Sequence, residues 1–400
     1  MTLTVRKKVL FIAWDGPSTS YLESLFAPIF FELKNRGYDF HIIQFSWAKR
    51  EKIDAISQQC EQMGIPFAHY RVLTKPLLAV GKLITLFTAS RKVKQYAQSH
   101  KVDVIMPRGL MPARIVLQFA QNDERYKIVY DADGLQIEER VDFAELRVGS
   151  FRYRSLKQIE RNMTRRADIV LTRTLDGKRI LTEQYTDVDE SKFHTVSNGR
   201  DERIFALPED KNQRSFRRHL DIPEHALVSV YCGSLAPQYG LPEMARLHQY
   251  LIERRSDVYW LVLTGDVEKM QAYAHLPNVI VRSVAAKEVP HFMAIANVGL
   301  AFRHATYSMK GVAPIKLGEY LIMGLPVVAS GGIGDSEQVL KRYGFCHVMD
   351  DFTDETLIGA SEWILKIRDQ FDSQSIRSAG IEHFGLRRSV DDYDLALKTI

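Results

Sequence analysis

The stretch Gly311–Asp335, GVAPIKLGEYLIMGLPVVASGGIGD, decides how the rest of the chain is read. Pro314 suits the first turn of a helix, where its missing N–H costs nothing. Leu317, Tyr320, Leu321 and Met323 supply an apolar helical face; Gly324 stops the helix and Pro326 prevents it restarting. Val327–Ala329 is a short strand, and Gly331, Gly332 and Gly334 form a loop beyond its carboxyl end. In a parallel α/β sheet that end is where ligands bind. Glu319, in mid-helix, either lies on the exposed face or holds a ligand hydroxyl. Lys316 stands in the first helical turn, against the macrodipole preference for acids there, and is either a solvated side chain or one that serves a ligand.

Apolar strands alternating with helical patterns continue in both directions. Towards the amino end, Val9–Ala13, Phe40–Phe45, Phe67–Tyr70, Val102–Met106, Lys127–Asp131, Ala167–Thr172 and Phe193–Val196 read as strands. After residue 200, Val228–Cys232, Trp260–Thr264, Val279–Val281 and Val298–Phe302 do the same. A chain of 400 residues is too long for one ordinary core. The pattern therefore predicts two Rossmann-like α/β domains facing across a cleft. Ser197-Asn198-Gly199 is a turn signal, and the polar run Glu209–Arg214 has linker composition.

Several loops at strand ends carry polar or charged groups. Gly16, Pro17 and Ser18, behind Asp15, suit either an anion or sugar hydroxyl or a simple N-cap. The run Asp131-Ala132-Asp133-Gly134-Leu135-Gln136-Ile137-Glu138-Glu139 packs four carboxylates into a loop just past a strand, and Asp131, Asp133 and Glu138 are candidate catalytic acids or bases. Gly233 and Ser234 open a glycine loop before the helix of residues 242–254 and could present N–H groups to a diphosphate. Arg282, Arg303 and His304 also follow strands; a lone His there is structural or an acid–base. No GxGxxG or Walker pattern occurs.

The phrase Pro314-Ile-Lys316-Leu-Gly-Glu319-Tyr320-Leu, followed by Gly-Leu-Pro-Val-Val, resembles the donor-nucleotide site of GT-B glycosyltransferases. The resemblance is to the mostly retaining group with a Glu, seven residues, Glu motif, and within it to a subgroup of surface-polysaccharide synthesis. Glu319 matches the second Glu, which binds the ribose hydroxyls in that family; the first falls on Gly311. The family's phosphate-neutralising Arg and Lys in the glycine loop fall on Ser234 and Tyr239. The resemblance thus implies that Arg303, Lys310 and Lys316 meet the phosphates. It implies that the backbone near Arg282 meets the base, that Gly332 lines the donor loop, and that the Asp131–Arg140 loop faces sugar and acceptor. It also divides the chain into an acceptor-side domain 1–196, a nucleotide-sugar domain 197–385 and a terminal helix 386–400 crossing back to the first.

The function so implied is transfer of a sugar from a nucleotide diphosphate sugar to a saccharide or lipid-linked hydroxyl acceptor, in cell-surface or exopolysaccharide synthesis. The expected chemistry is retaining, with no metal and no cofactor beyond the donor. A sugar-nucleotide 2-epimerase or a non-catalytic sugar-nucleotide-binding subunit of a polysaccharide assembly complex would share the fold. The three cysteines, Cys60, Cys232 and Cys346, have no metal spacing and read as reduced thiols.

The start mimics a signal peptide, but its apolar run is short and no small-residue cleavage site follows, so a cytoplasmic protein is expected. Charge is uneven: residues 1–195 hold 31 Lys and Arg against 23 Asp and Glu. With the apolar run at 77–89 and the basic helix 151–166, that excess predicts peripheral contact with the anionic inner face of the cell membrane. Nucleic acid is not an expected partner, because basic residues lack aromatic interleaving.

Overall fold

The computed structural model describes residues 6–17, 19–75, 78–207, 210–367 and 370–400. They form two compact units: Met1–Ser197 together with Ser389–Ile400, and Asn198–Arg388.

The first unit is built on seven strands: β1 (Lys7–Asp15), β2 (Tyr38–Ser46), β3 (Phe67–Arg71), β4 (Val104–Pro107), β5 (Lys127–Asp131), β6 (Ile169–Thr172) and β7 (Phe193–Thr195). They lie in the order β3-β2-β1-β4-β5-β6-β7, with parallel pairing throughout. Parallel strands covered on both faces read as unbroken apolar runs. Val9, Leu10, Phe11 and Ile12 are accordingly all fully buried. The chain reverses its direction of travel across the sheet between β1 and β4, so a crevice opens at their carboxyl ends. Asp15 ends β1 and Arg108 follows β4.

The second unit repeats the plan with β8 (Leu227–Cys232), β9 (Val258–Leu263), β10 (Val279–Arg282), β11 (Val298–Ala301), β12 (Val327–Ser330) and β13 (Cys346–Met349). The order is β10-β9-β8-β11-β12-β13, again parallel, and its reversal point lies between β8 and β11. The helix Ile315–Ile322 starts after Pro314, which is its N-cap, and buries Leu317, Tyr320, Leu321 and Ile322. Tyr320 lies directly over Gly299, where an added Cβ would stand 2.5 Å from the ring. Its hydroxyl accepts a 3.0 Å bond from the Cys232 N–H, fixing the helix against the end of β8.

The final segment Ser389–Ile400 is bonded into the first unit. Asp392 accepts from the Ser197 N–H at 3.0 Å and from its hydroxyl at 2.7 Å, and Arg36 pairs with Asp391 at 2.7 Å, all inside the first unit.

Three local readings are corrected. The acidic stretch after β5 is not all loop: Gln136–Phe143 is a helix, with Glu138 and Glu139 in its first turn, where the dipole favours acids. The linker-like run is helical from Asp210 to His219. Strand β13 and the helix Ser373–Phe384 extend the second unit beyond the elements foreseen.

Candidate functional site

In the second unit, β8 ends at Cys232 and the chain turns at Gly233, whose φ of 136° is closed to ordinary side chains. A Cβ there would lie 2.7 Å from Lys316 Cε, so the glycine is what lets the lysine cross the turn. The turn is held by Asp266, which accepts from the Ser234 hydroxyl at 2.9 Å and from the Leu235 N–H at 2.7 Å. Ser234 is thus a structural partner of Asp266 as well as a neighbour of the crevice.

The ring of Tyr239 organises the cations. Lys316 Nζ lies 4.4 Å and Arg303 Cζ 4.6 Å from its centroid. The Tyr231 ring adds a second face to Lys316, at 5.2 Å. Burial pushes the Lys316 ammonium below its ordinary value, and Arg303 pushes the same way. Among the described residues, neither cation makes an ion pair. Two cations held by one aromatic ring at a strand-switch crevice form a ready place for a multiply charged anion.

Glu319, one turn further along, is neither solvated nor free. It pairs with Arg200 at 2.6 Å, with side-chain exposures of 12% and 5%. Arg200 also stacks over Phe205 at 4.9 Å. The glycine loop after β12 closes over the same region: the Gly332 N–H donates to Glu337 at 2.8 Å, and the Gly334 N–H to the Met309 carbonyl at 3.0 Å. Met309 Sδ in turn lies 3.7 Å from Arg303 Nη1. Gly233, Ser234, Arg303 and Lys316 are therefore gathered in one place, with Glu319 on the same helix as Lys316. Arg282 stands apart, exposed at the end of edge strand β10, with Nη1 on the Val281 carbonyl. His304 lies 3.7 Å from Glu243 and stacks edge-on against Phe352.

In the first unit the crevice holds a charge cluster. Arg108 pairs with Asp133 at 2.6 Å and lies 3.9 Å from Asp131. Arg173, just past β6, meets Asp131 at 2.5 Å and Asp133 at 3.8 Å, and donates to the Tyr393 hydroxyl at 2.8 Å. Asp131 is fully buried; burial pushes its carboxyl up, and Arg173 and Arg108 oppose this. Asp133 keeps some open surface, its side chain 24% exposed. Glu138 is not part of this cluster: it pairs with Lys157 at 2.5 Å, which also holds Glu160 at 3.0 Å.

Asp15 differs from these acids. Among the described residues it has no ion pair and accepts only from the Gln44 side chain, at 2.8 Å. Burial raises its carboxyl, against the pull of Arg108. Gly16 and Pro17 follow it, with the Pro17 carbonyl 3.4 Å from Lys52 Nζ; Ser18 lies outside the described residues. No group of three or more His, Cys, Asp or Glu among the described residues is arranged to hold a metal.

Arg108, Arg173 and Arg200 were not foreseen. The first two carry a simple signal, since each immediately follows an apolar strand. Arg200 shows only as a basic residue after the Ser-Asn-Gly turn.

No protein-family model matches the chain. Over 231 residues it is 25% identical to TuaH of Bacillus subtilis (strain 168), which carries an inferred assignment as a teichuronic acid biosynthesis glycosyltransferase. The match covers 56% of this chain and 55% of TuaH, so the chain spans about half the length of that curated relative. The structure of Anabaena Alr3699/HepE in complex with UDP-glucose superposes with a TM-score of 0.74 at 15% identity, covering 98% of this chain and all of that one. WaaG, a glycosyltransferase involved in lipopolysaccharide biosynthesis, superposes at 0.67 with 17% identity and 98% coverage of both chains. The fold is GT-B. At these identities the GT-B likeness concerns the fold alone.

Proposed function

We propose that this chain is a glycosyltransferase. It takes a sugar from a nucleoside diphosphate sugar and places it on a hydroxyl of a saccharide or lipid-linked acceptor, in the synthesis of a cell-surface or exported polysaccharide. The observation that carries the reading is the pair Arg303 and Lys316 around Tyr239, two cations without carboxylate partners among the described residues, at the switch point between β8 and β11. The family's loop cations are replaced by Ser234 and Tyr239, and Arg303 and Lys316 arrive from other elements to supply the charge. The likeness to TuaH supports the same class of reaction.

In the transfer, the acceptor oxygen bonds to the anomeric carbon as the bond from that carbon to the diphosphate oxygen breaks. The diphosphate leaves with the electron pair. Lys316 and Arg303 meet the negative charge that grows there, which is the largest lever available to such a site. Glu319, with one oxygen on Arg200, retains acceptor capacity for the ribose hydroxyls. The reaction is metal-independent and retains the anomeric configuration, with the acceptor proton passing to the leaving phosphate.

Incubation with UDP-sugars, with and without saccharide acceptors, tests the reading. Acceptor-dependent release of UDP is expected. A C2 epimer formed without acceptor would make the protein an epimerase, and binding without turnover would make it a sugar-nucleotide-binding subunit. Activity abolished by EDTA and restored by Mg²⁺ would remove metal independence. NMR of the first-formed product reads the anomeric outcome, and inversion would direct attention to Asp15 and Asp133 as bases.

A further inference from the structure

At the carboxyl end of the first sheet, Asp15 and Gln44 leave acceptor atoms with no donor to meet. Asp15 closes β1 and is 4% exposed, and its Oδ2 accepts from Gln44 Nε2 at 2.8 Å. An ionised carboxylate only accepts, so the Gln44 amide turns its nitrogen towards Asp15 and leaves its oxygen to face elsewhere. Gln44 is 2% exposed, and its buried Oε1 has no hydrogen-bond partner among the described residues. Asp15 takes no second hydrogen bond among them either. Buried polar atoms are normally paired, so two lone acceptors side by side call for a ligand that brings protons.

Arginines stand at the same end of the neighbouring strands, but their charge is already used. Strands β1 and β4 pair with Ile12 opposite Pro107, and the Arg108 N–H donates to the Ile12 carbonyl at 3.0 Å. The Arg108 guanidinium lies 4.8 Å from the Phe26 ring and 5.2 Å from that of Tyr21, which is 38% exposed. Arg173 lies over the same Phe26 ring, at 5.7 Å. Their terminal nitrogens are taken by Asp133 and Asp131, while the buried Nε of each has no hydrogen bond among the described residues. Lys52 is held by Glu23 at 3.4 Å and by the Pro17 and Thr19 carbonyls. Asp15, Asp131 and Asp133 thus stand against Arg108 and Arg173, leaving the crevice one carboxylate in excess.

We propose that this crevice selects the acceptor by charge: it takes an uncharged sugar hydroxyl, which donates to Asp15 or to Gln44 Oε1, and refuses an acceptor whose reacting end is a phosphate. The inference rests on the glycosyltransferase reading and narrows it to the extension of a glycan. A hydroxyl both gives and takes a hydrogen bond, so it satisfies a lone acceptor and can accept from an arginine Nε. A phosphate dianion has no proton to give. It would leave both acceptors unmet and add a like charge beside Asp15. Gln44 is then a positioning residue, because it fixes the carboxylate that the hydroxyl meets.

Saturation-transfer NMR on the full chain, with UDP in excess to fill the cationic site, provides the test. It compares methyl glycosides of glucose, galactose, mannose and N-acetylglucosamine with the matching sugar phosphates. At least one glycoside is expected to bind, and its phosphate to bind roughly 100-fold more weakly or not at all. Asp15→Asn, a change of the same shape, removes the excess charge and brings the two classes within roughly tenfold of each other. Gln44→Met weakens the glycoside roughly tenfold and leaves UDP affinity unchanged. Asp15→Asn reads the charge selection even where Gln44→Met melts early. Sugar phosphates that bind as tightly as the glycosides overturn the inference. So does the absence of any glycoside binding, or an unchanged ratio in the Asp15→Asn protein. These readouts use no turnover, so their failure leaves the transfer reaction standing, and a failure of UDP release leaves the selectivity standing.

Discussion

Replacing Lys316 with Met separates a ligand-binding lysine from a structural one. The side chain crosses Gly233, and Met preserves most of its apolar stem. Burial lowers the folded pKa of Lys316 from the ordinary 10.5. Folding therefore disfavours its charged form. The resulting cost to stability is fully present at neutral pH and is relieved only as pH rises through the folded pKa towards 10.5. The unliganded Lys316→Met protein should accordingly melt no lower than the parent at pH 7.

Nucleotide binding should move the other way. A lost charge-assisted contact to a phosphate costs about 1.5–3 kcal/mol, or about 10- to 150-fold in Kd. With UDP at about 100 times Kd, the parent gains about 2.7 kcal/mol from the ligand, whereas a variant binding about 30-fold more weakly gains about 0.9. Thermal melts with and without UDP, with calorimetry for Kd, read both quantities. An unchanged UDP response, or a large fall in the unliganded melt, would refute the assignment of Lys316 to the anion.

Glu319→Gln removes the counter-ion of Arg200, which is 5% exposed. Urea unfolding should show a loss of about 3 kcal/mol, and UDP affinity should also fall; an unchanged midpoint with normal UDP binding would sink both roles. Asp15→Asn tests a carboxyl raised from 3.8 by burial. Since folding favours its protonated form, the variant should be more stable than the parent at pH 7. That advantage should fade as pH falls through the raised value towards 3.8, and a variant less stable at neutral pH would contradict the reading.

The fold was largely legible because buried parallel strands announce themselves. Runs such as Val9–Ala13 and Trp260–Leu263 have no polar alternation, and turn residues separate them from helical patterns. Strand β13 escaped because Cys-His-Val-Met at a sheet edge lacks such a run. The helix Asp210–His219 escaped for a tertiary reason. Its sequence is nearly all polar, and it is held from outside itself, by Arg217 donating to the carbonyls of Glu224, Ala226 and Ile295 and by Phe216 set edge-on against Phe292. No local pattern encodes a buried arginine that ties two loops together.

The site was half legible for a similar reason. Gly233, Arg303, Lys316 and Glu319 stand where strand ends and a helix start can be read. Their partners cannot be read that way. Arg200 lies 119 positions from Glu319, and Arg173 lies 42 from Asp131 and 220 from Tyr393. Four carboxylates in nine residues looked like one functional loop, but Asp131 and Asp133 face two arginines while Glu138 turns to Lys157. Charge counted along the chain says little about which charges meet.

The first unit is discontinuous in sequence, completed by Ser389–Ile400 after the whole second unit has intervened. Tyr393 touches Arg173, the Lys7 ammonium binds the Ile400 carbonyl, and Asp394 holds Arg36 at 3.4 Å. The second unit has its whole sequence by Arg388, whereas the first needs residues 389–400, without which Arg173 lacks its tyrosine partner. The unit that opens the chain is therefore the last to have its full sequence. A released chain cut before residue 389 would keep every residue of the anion site and lose Tyr393 from the acidic crevice.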